Sequence, residues 1–228
     1  MASPYFTQES FRFLRDLREH NDRQWFQDHK DRYERHYRGA AVRFVADFGP
    51  QIRAISPHLV VDPRPHGGSL LRIYRDIRFK KDKRPYKTHV GLYFGHEAGK
   101  DIHAPGIYLH IEPGGSFVAA GMWRPPTPVL RQVREAMVAA PRRWRETTAP
   151  LASAGGYTRF GERLQRVPAG FPRDHPLAED LRGKSHGFSH PLTQRDVIAT
   201  DAHARIGSVL QPLRPFLALL CEALGQPF

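Results

Sequence analysis

The two runs Ile107–Glu112 and Phe117–Trp123 leave the chain the least choice. Only the Pro113-Gly114-Gly115 turn and Ser116 separate them. A parallel crossover needs about a dozen residues, so these runs pair as an antiparallel hairpin. Two further runs, Leu70–Arg75 and His89–Phe94, precede them, which predicts a mainly antiparallel sheet over residues 69–123. Period two then sorts the side chains. Leu71, Ile73, Val90, Leu92, Phe94, Ile107, Leu109 and Ile111 are expected on the core face. Arg72, Tyr74, Asp76, His89, Tyr93, Tyr108, His110 and Glu112 fall on the other. An ordinary solvated face carries more Lys, Glu and Thr; this one is rich in Tyr and His.

Helical spacing flanks the sheet on both sides. Thr7 caps a helix with Phe11, Leu14 and Leu17 on one stripe, and Asn21 reads as a second cap with Gln24 three residues on. Trp25, Phe26, Tyr33 and Tyr37 follow, then a helix over Ala40–Ser56 in which Gly49-Pro50 marks a kink or break. Beyond Trp123, Thr127-Pro128 opens a helix that Pro141 closes, and Arg142–Leu151 forms another. Residues 155–176 read as a long loop with short strands around Tyr157–Phe160 and Leu164–Val167. A helical turn within 175–181, a strand near Ser185–Ser189, and a C-terminal helical stretch divided by Pro212 and Pro215 complete the chain. The fold class is therefore α+β, a single domain whose N- and C-terminal helices pack on one face of the sheet. Its parts are a helical stretch at 1–56, the sheet at 69–123, and helices and loops at 126–228. With 228 residues and 40% hydrophobic content, the chain can bury one substantial core.

Several classes of function are set aside early. No apolar run approaches the ~20 residues that cross a bilayer, so no membrane partner is expected. The N-terminal residues lack a basic stretch followed by an apolar one, so no secretory leader is expected. The single cysteine, Cys221, sits in the apolar run LALLCEALG, as a buried inert thiol would, and fits a cytoplasmic location. His186 and His190 are four apart in a Gly- and Pro-flanked segment, and no paired cysteines, Walker loop or dinucleotide fingerprint occurs, so no metal site is expected. Cofactor and oligomeric state stay open.

The strongest chemical signal is Ser69–Thr88, SLLRIYRDIRFKKDKRPYKT. It holds eight basic residues against two acidic ones, a net +6 out of +12 for the whole chain. Arg outnumbers Lys 28 to 7, a skew that base composition alone produces, so the concentration in one stretch says more than the total. The pattern R-x-Y-R-D-x-R-F-x-x-D-K-x-P-Y-K, running from Arg72 to Lys87, resembles a widespread bacterial and fungal family of uncharacterised proteins, a domain of unknown function. Trp25-Phe26, Gly106-Ile107-Tyr108, His110-Ile111-Glu112-Pro113, Gly121-Met122-Trp123 and Pro212-Leu213 extend the resemblance along most of the chain. It implies no activity, substrate or cofactor.

Four readings of the motif compete. In the structural one, Arg72, Arg75 and Arg78 pair with Asp76, Asp82 and Glu112, while Phe79 and Tyr86 plug the loop into the core. In the second, Arg72, Arg75, Arg78, Lys83 and Lys87, with Tyr74 and Tyr108 as hydrogen-bonding groups, bind an anionic, phosphate-bearing small molecule in a basic cleft. In the third, Asp76, His110 and Glu112 add acid–base chemistry for phosphoester processing. In the fourth, basic groups interleaved with Tyr74, Phe79 and Tyr86 bind nucleic acid.

Overall fold

The computed structural model describes residues 4–99, 103–153 and 155–228. In it β1 (Val90–Gly95), β2 (Gly106–Ile111) and β3 (Phe117–Met122) form the expected antiparallel meander. Gly114, at φ +74°, supplies the left-handed residue that the tight β2–β3 turn requires. Residues 100–102 of the predicted β1–β2 loop lie outside the described residues. Beyond β3 come β5 (His186–Pro191) and the two-residue β4 (Thr158–Arg159), giving the order β1-β2-β3-β5-β4, antiparallel throughout.

Register fixes which side chains share a face. Phe94, Ile107, Ala120 and Phe188 stand opposite one another across four strands, so they form one apolar row. Both helical groups pack on that row. From the N-terminal group, α1 (Gln8–Glu19), α2 (Arg23–Asp28), α3 (Lys30–Tyr33), a π-helical turn at Glu34–Arg38 and α4 (Gly39–Ile55), Phe48 of α4 meets Phe94 edge-on at 5.6 Å. The rest of the chain contributes α5 (Thr127–Ala139), α6 (Pro141–Ser153), α7 (Ala178–Leu181), α8 (Gln194–Ile198), α9 (Ala202–Leu210) and α10 (Arg214–Ala223), and Phe216 of α10 meets Phe188 at 5.1 Å. Each of these rings is fully buried, worth about 2–3 kcal/mol of apolar transfer apiece. The result is an α+β domain with one helix-covered sheet face and one open face.

Four local expectations are corrected. Leu70–Arg75 is not a continuous strand: it makes isolated bridges, Leu70 with Leu92 and Tyr74 with Tyr86. An unbroken ladder from the first bridge would set Tyr74 opposite Thr88, so the register slips by two residues between them. The segment exchanges hydrogen bonds with β1 through Ser69 and Leu71, then with its own returning limb through Ile73 and Arg75. Burial follows the slip, with Leu70 and Ile73 buried and Leu71 only partly so. Asn21 is not the α2 cap; Asp22 is, accepting from the Trp25 amide at 2.9 Å. Pro50 stays inside an unbroken α4. Leu164–Val167 forms no strand; only its neighbour Arg163 bridges to Gly183.

Candidate functional site

The basic loop is built from a small unit used more than once. Asp76 accepts from the Arg78 backbone amide at 3.2 Å and from its guanidinium Nε and Nη2 at 3.0 and 2.7 Å. Asp82 does the same with Arg84, at 3.0 Å from the amide and 3.0 and 2.8 Å from Nε and Nη2. Asp62 and Arg64 repeat the arrangement ahead of the motif. An aspartate that caps the amide two residues on closes an Asx-turn, and an arginine there folds back onto the same carboxylate. The spacing D-x-R is the sequence signal for it.

These turns decide which motif charges are free. Arg75 donates to Asp82 at 2.8 Å and to the Arg84 carbonyl at 3.1 Å. Arg78 is 76% exposed and held by Asp76, whose carboxyl the Arg78 hydrogen bonds pull down to about 2. Lys83 donates to the Ile77 carbonyl at 3.1 Å. Tyr86 plugs into the core against Phe26, ring centroids 4.1 Å apart, and Asn21 clasps its backbone through both amide and carbonyl at 3.0 Å. Phe79 does not plug in: it is 94% exposed at the loop tip, and Tyr74 is 52% exposed. The Arg72 guanidinium and the Lys87 ammonium have no hydrogen-bond or ion-pair partner among the described residues. Lys87 is partly buried, and burial, reinforced by the Arg72 charge, lowers its pKa. It lines a cavity of about 150 Å³ with Arg75, Arg84, Asn21, Tyr86 and His89.

Beside this cavity the open face of β2 carries a hydrogen-bonded row. Tyr108, His110 and Glu112 alternate along the strand, so they project together. The Tyr108 hydroxyl lies 3.0 Å from His110 Nδ1, and His110 Nε2 lies 2.9 Å from Glu112 Oε2. Arg18 of α1 donates to Glu112 Oε1 at 2.6 Å. Glu112 only accepts, so Nε2 carries the His110 proton, Nδ1 accepts, and Tyr108 donates. His89 stacks on His110 at 4.1 Å and lines the cavity, joining the row to the cationic side. Burial lowers the pKa of His110 and takes His89 down to about 4, while burial lifts Tyr108 to about 12.

The family model described as conserved hypothetical protein (DUF2461) matches residues 9–218. The chain belongs to that family. No curated protein and no solved structure matches it. In this DUF2461 chain, the structure joins Tyr108, His110 and Glu112, and sets Arg75 and Lys87 around one cavity. Asp76 stands apart with Arg78, so it joins neither group. No cluster of three metal-ligating side chains occurs among the described residues, and no helix among them is long and apolar enough to cross a membrane. Reading the strands alone sets His89 on the polar face but misses Asn21, Arg84 and Arg18. The D-x-R spacing marks Arg84, whereas Asn21 and Arg18 reach the site only through tertiary contact.

Proposed function

We propose that the protein binds a small phosphate-bearing anion in the cavity between the basic loop and the row on β2. The observation that carries this reading is Lys87, a partly buried ammonium that lines a cavity and has no counter-ion among the described residues. A cation desolvated without a partner costs free energy, and an anion beside it reverses that cost. Arg75 and Arg84 keep unused guanidinium N–H groups, and Arg72 is near enough for its charge to act on Lys87. At about 150 Å³ the cavity is smaller than the ~300 Å³ lower bound of drug-sized sites, so it suits an inorganic anion or the charged end of a larger molecule. The test is a thermal-shift series with phosphate, pyrophosphate and nucleotides on wild type and Lys87→Met. A rise in melting temperature that Lys87→Met abolishes supports the site; an equal rise in both refutes it.

One observation favours an added catalytic step. His89 lines the cavity and stacks on His110, whose proton is held by Glu112, so an acid–base group backs the anion site. In the phosphoester-processing reading His110 and Glu112 act together and Asp76 has no part. A second observation favours nucleic acid: Phe79 and Tyr74 are exposed among Arg72, Arg78, Lys80 and Lys81, while Tyr86 is buried and unable to stack. Salt separates the readings. Binding of a single-stranded oligonucleotide by the exposed loop weakens steeply with added salt and survives Lys87→Met, whereas phosphate binding in the cavity does not survive it.

A further inference from the structure

The open sheet face holds a second and larger hollow, about 450 Å³, that none of the motif charges enters. Its floor is made of small residues, Gly106, Ala119, Gly121 and Ser189, and its walls are aromatic, with Trp123 44% exposed. Small residues here are what the packing demands. A Cβ at Gly106 would stand 2.7 Å from the Tyr93 hydroxyl, and one at Gly121, where φ is +140°, would clash with the His186 carbonyl. Flat rings over a flat floor leave a slot in place of a packed second layer.

The polar groups of the slot share one property. Tyr108 donates its hydroxyl proton to His110, because His110 gives its own to Glu112. Ser189 donates to the Thr158 carbonyl at 3.4 Å, and Tyr93 to the Ala104 carbonyl at 3.1 Å. What Tyr108 and Ser189 can offer a ligand is lone pairs. Among the described residues the lining contains no charged side chain, although the chain carries +12 overall. A phosphate or carboxylate placed here would be desolvated with no cation in the described lining to meet it. A second copy of the chain would bring another +12 against the first. The complement is a neutral, planar molecule with a hydrogen-bond donor at its edge, and the volume lies within the range of small-molecule sites.

We infer that this slot binds an uncharged heteroaromatic ring, which lies between the aromatic walls and donates an N–H to Tyr108. The site is distinct from the anion cavity and stands whether or not that cavity binds phosphate. The probes are indole and 1-methylindole, which present the same ring with and without the N–H. Titration calorimetry on the full chain is expected to show indole binding about five- to tenfold tighter, the worth of one hydrogen bond. Tyr108→Phe abolishes that preference while 1-methylindole still binds. Ala119→Leu fills the floor and removes binding of both. Should Ala119→Leu not fold, Trp123→Ala, at an exposed ring, serves in its place and weakens both. Equal affinity of the two probes for wild type, unchanged binding in Ala119→Leu or Trp123→Ala, or no binding of either probe at millimolar concentration overturns the inference. So does a wild-type dimer in sedimentation that Ala119→Leu dissociates, since the slot would then belong to a second copy.

Discussion

Lys87→Met is the substitution that bears most directly on the anion cavity. The side chain keeps its length and apolar stem and loses only the ammonium. Against a phosphate oxygen that ammonium makes a charge-assisted hydrogen bond worth about 1.5–3 kcal/mol, with ~4 kcal/mol as a ceiling for a unit pair at 4 Å near a protein surface. The lower range raises the dissociation constant about 10- to 150-fold. At a phosphate concentration 100 times the wild-type Kd, the native state gains about 2.7 kcal/mol, or roughly 5–11 °C in melting temperature for a domain of this size. At the same concentration Lys87→Met gains about 1.4 kcal/mol at most and about 0.3 at the other end of the range. Without ligand the sign reverses. Burial lowers the Lys87 pKa, so the charged form is penalised in the folded state below that lowered value. The penalty fades as pH rises through it toward the ordinary lysine range, so wild type gains stability on Lys87→Met over that alkaline interval. Arg78→Ala is the control, because Arg78 is engaged by Asp76 and largely exposed. Scanning fluorimetry in a phosphate-free buffer reads all three proteins. A phosphate response kept by Lys87→Met, or lost by Arg78→Ala, refutes the reasoning.

Three other outcomes test the surrounding structure. Asn21→Ala removes both hydrogen bonds to the Tyr86 backbone and is expected to cost about 1–3 kcal/mol and to speed tryptic cleavage within residues 78–84, read by urea unfolding and limited proteolysis. Gly187→Ala places a Cβ against the Phe160 ring and 2.8 Å from the Ala120 carbonyl, so an overpacking loss of about 1–3 kcal/mol is expected in the same unfolding assay. Burial, with Arg134 and Arg159 nearby, holds the His186 pKa at about 3, so this histidine stays neutral in the fold while the unfolded chain protonates it near 6.5. Stability is then indifferent to His186 above about pH 7 and falls by up to ~1.4 kcal/mol per pH unit below 6.5. His186→Leu is expected to flatten the acid limb of the urea midpoint by that amount between pH 6 and 4.

What could be read from the sequence was whatever depended on local periodicity. Val90, Leu92 and Phe94 alternate into the core, as do Ile107, Leu109 and Ile111, and the Pro-Gly-Gly turn admits only a hairpin. The same alternation put Tyr108, His110 and Glu112 on one face, and they meet there. Period two failed at Leu70–Arg75 because the segment changes partner midway, which no side-chain pattern encodes. The Arg78–Asp76 pair was hidden for a different reason: a carboxylate two residues away engages the guanidinium through an Asx-turn, which strand alternation does not mark. Asn21 was assigned to a cap by its residue type, yet its contact is 65 positions away. The uncharged slot was invisible as well, because Gly, Ala and Ser in a strand say nothing about what stands over them.

β1 is an outer strand, and the stretch from Ser69 to Leu71 shields it by exchanging backbone bonds with Gly91 and Tyr93. The continuation of that stretch forms part of the cavity around Lys87. A bare strand border invites pairing with other chains, and the Ser69–Leu71 stretch that leads into the basic motif covers this one. The border and the cavity therefore share one stretch of chain, and the expected outcome of anion binding at the proposed site is slower amide exchange at Tyr93, whose N–H donates to the Ser69 carbonyl.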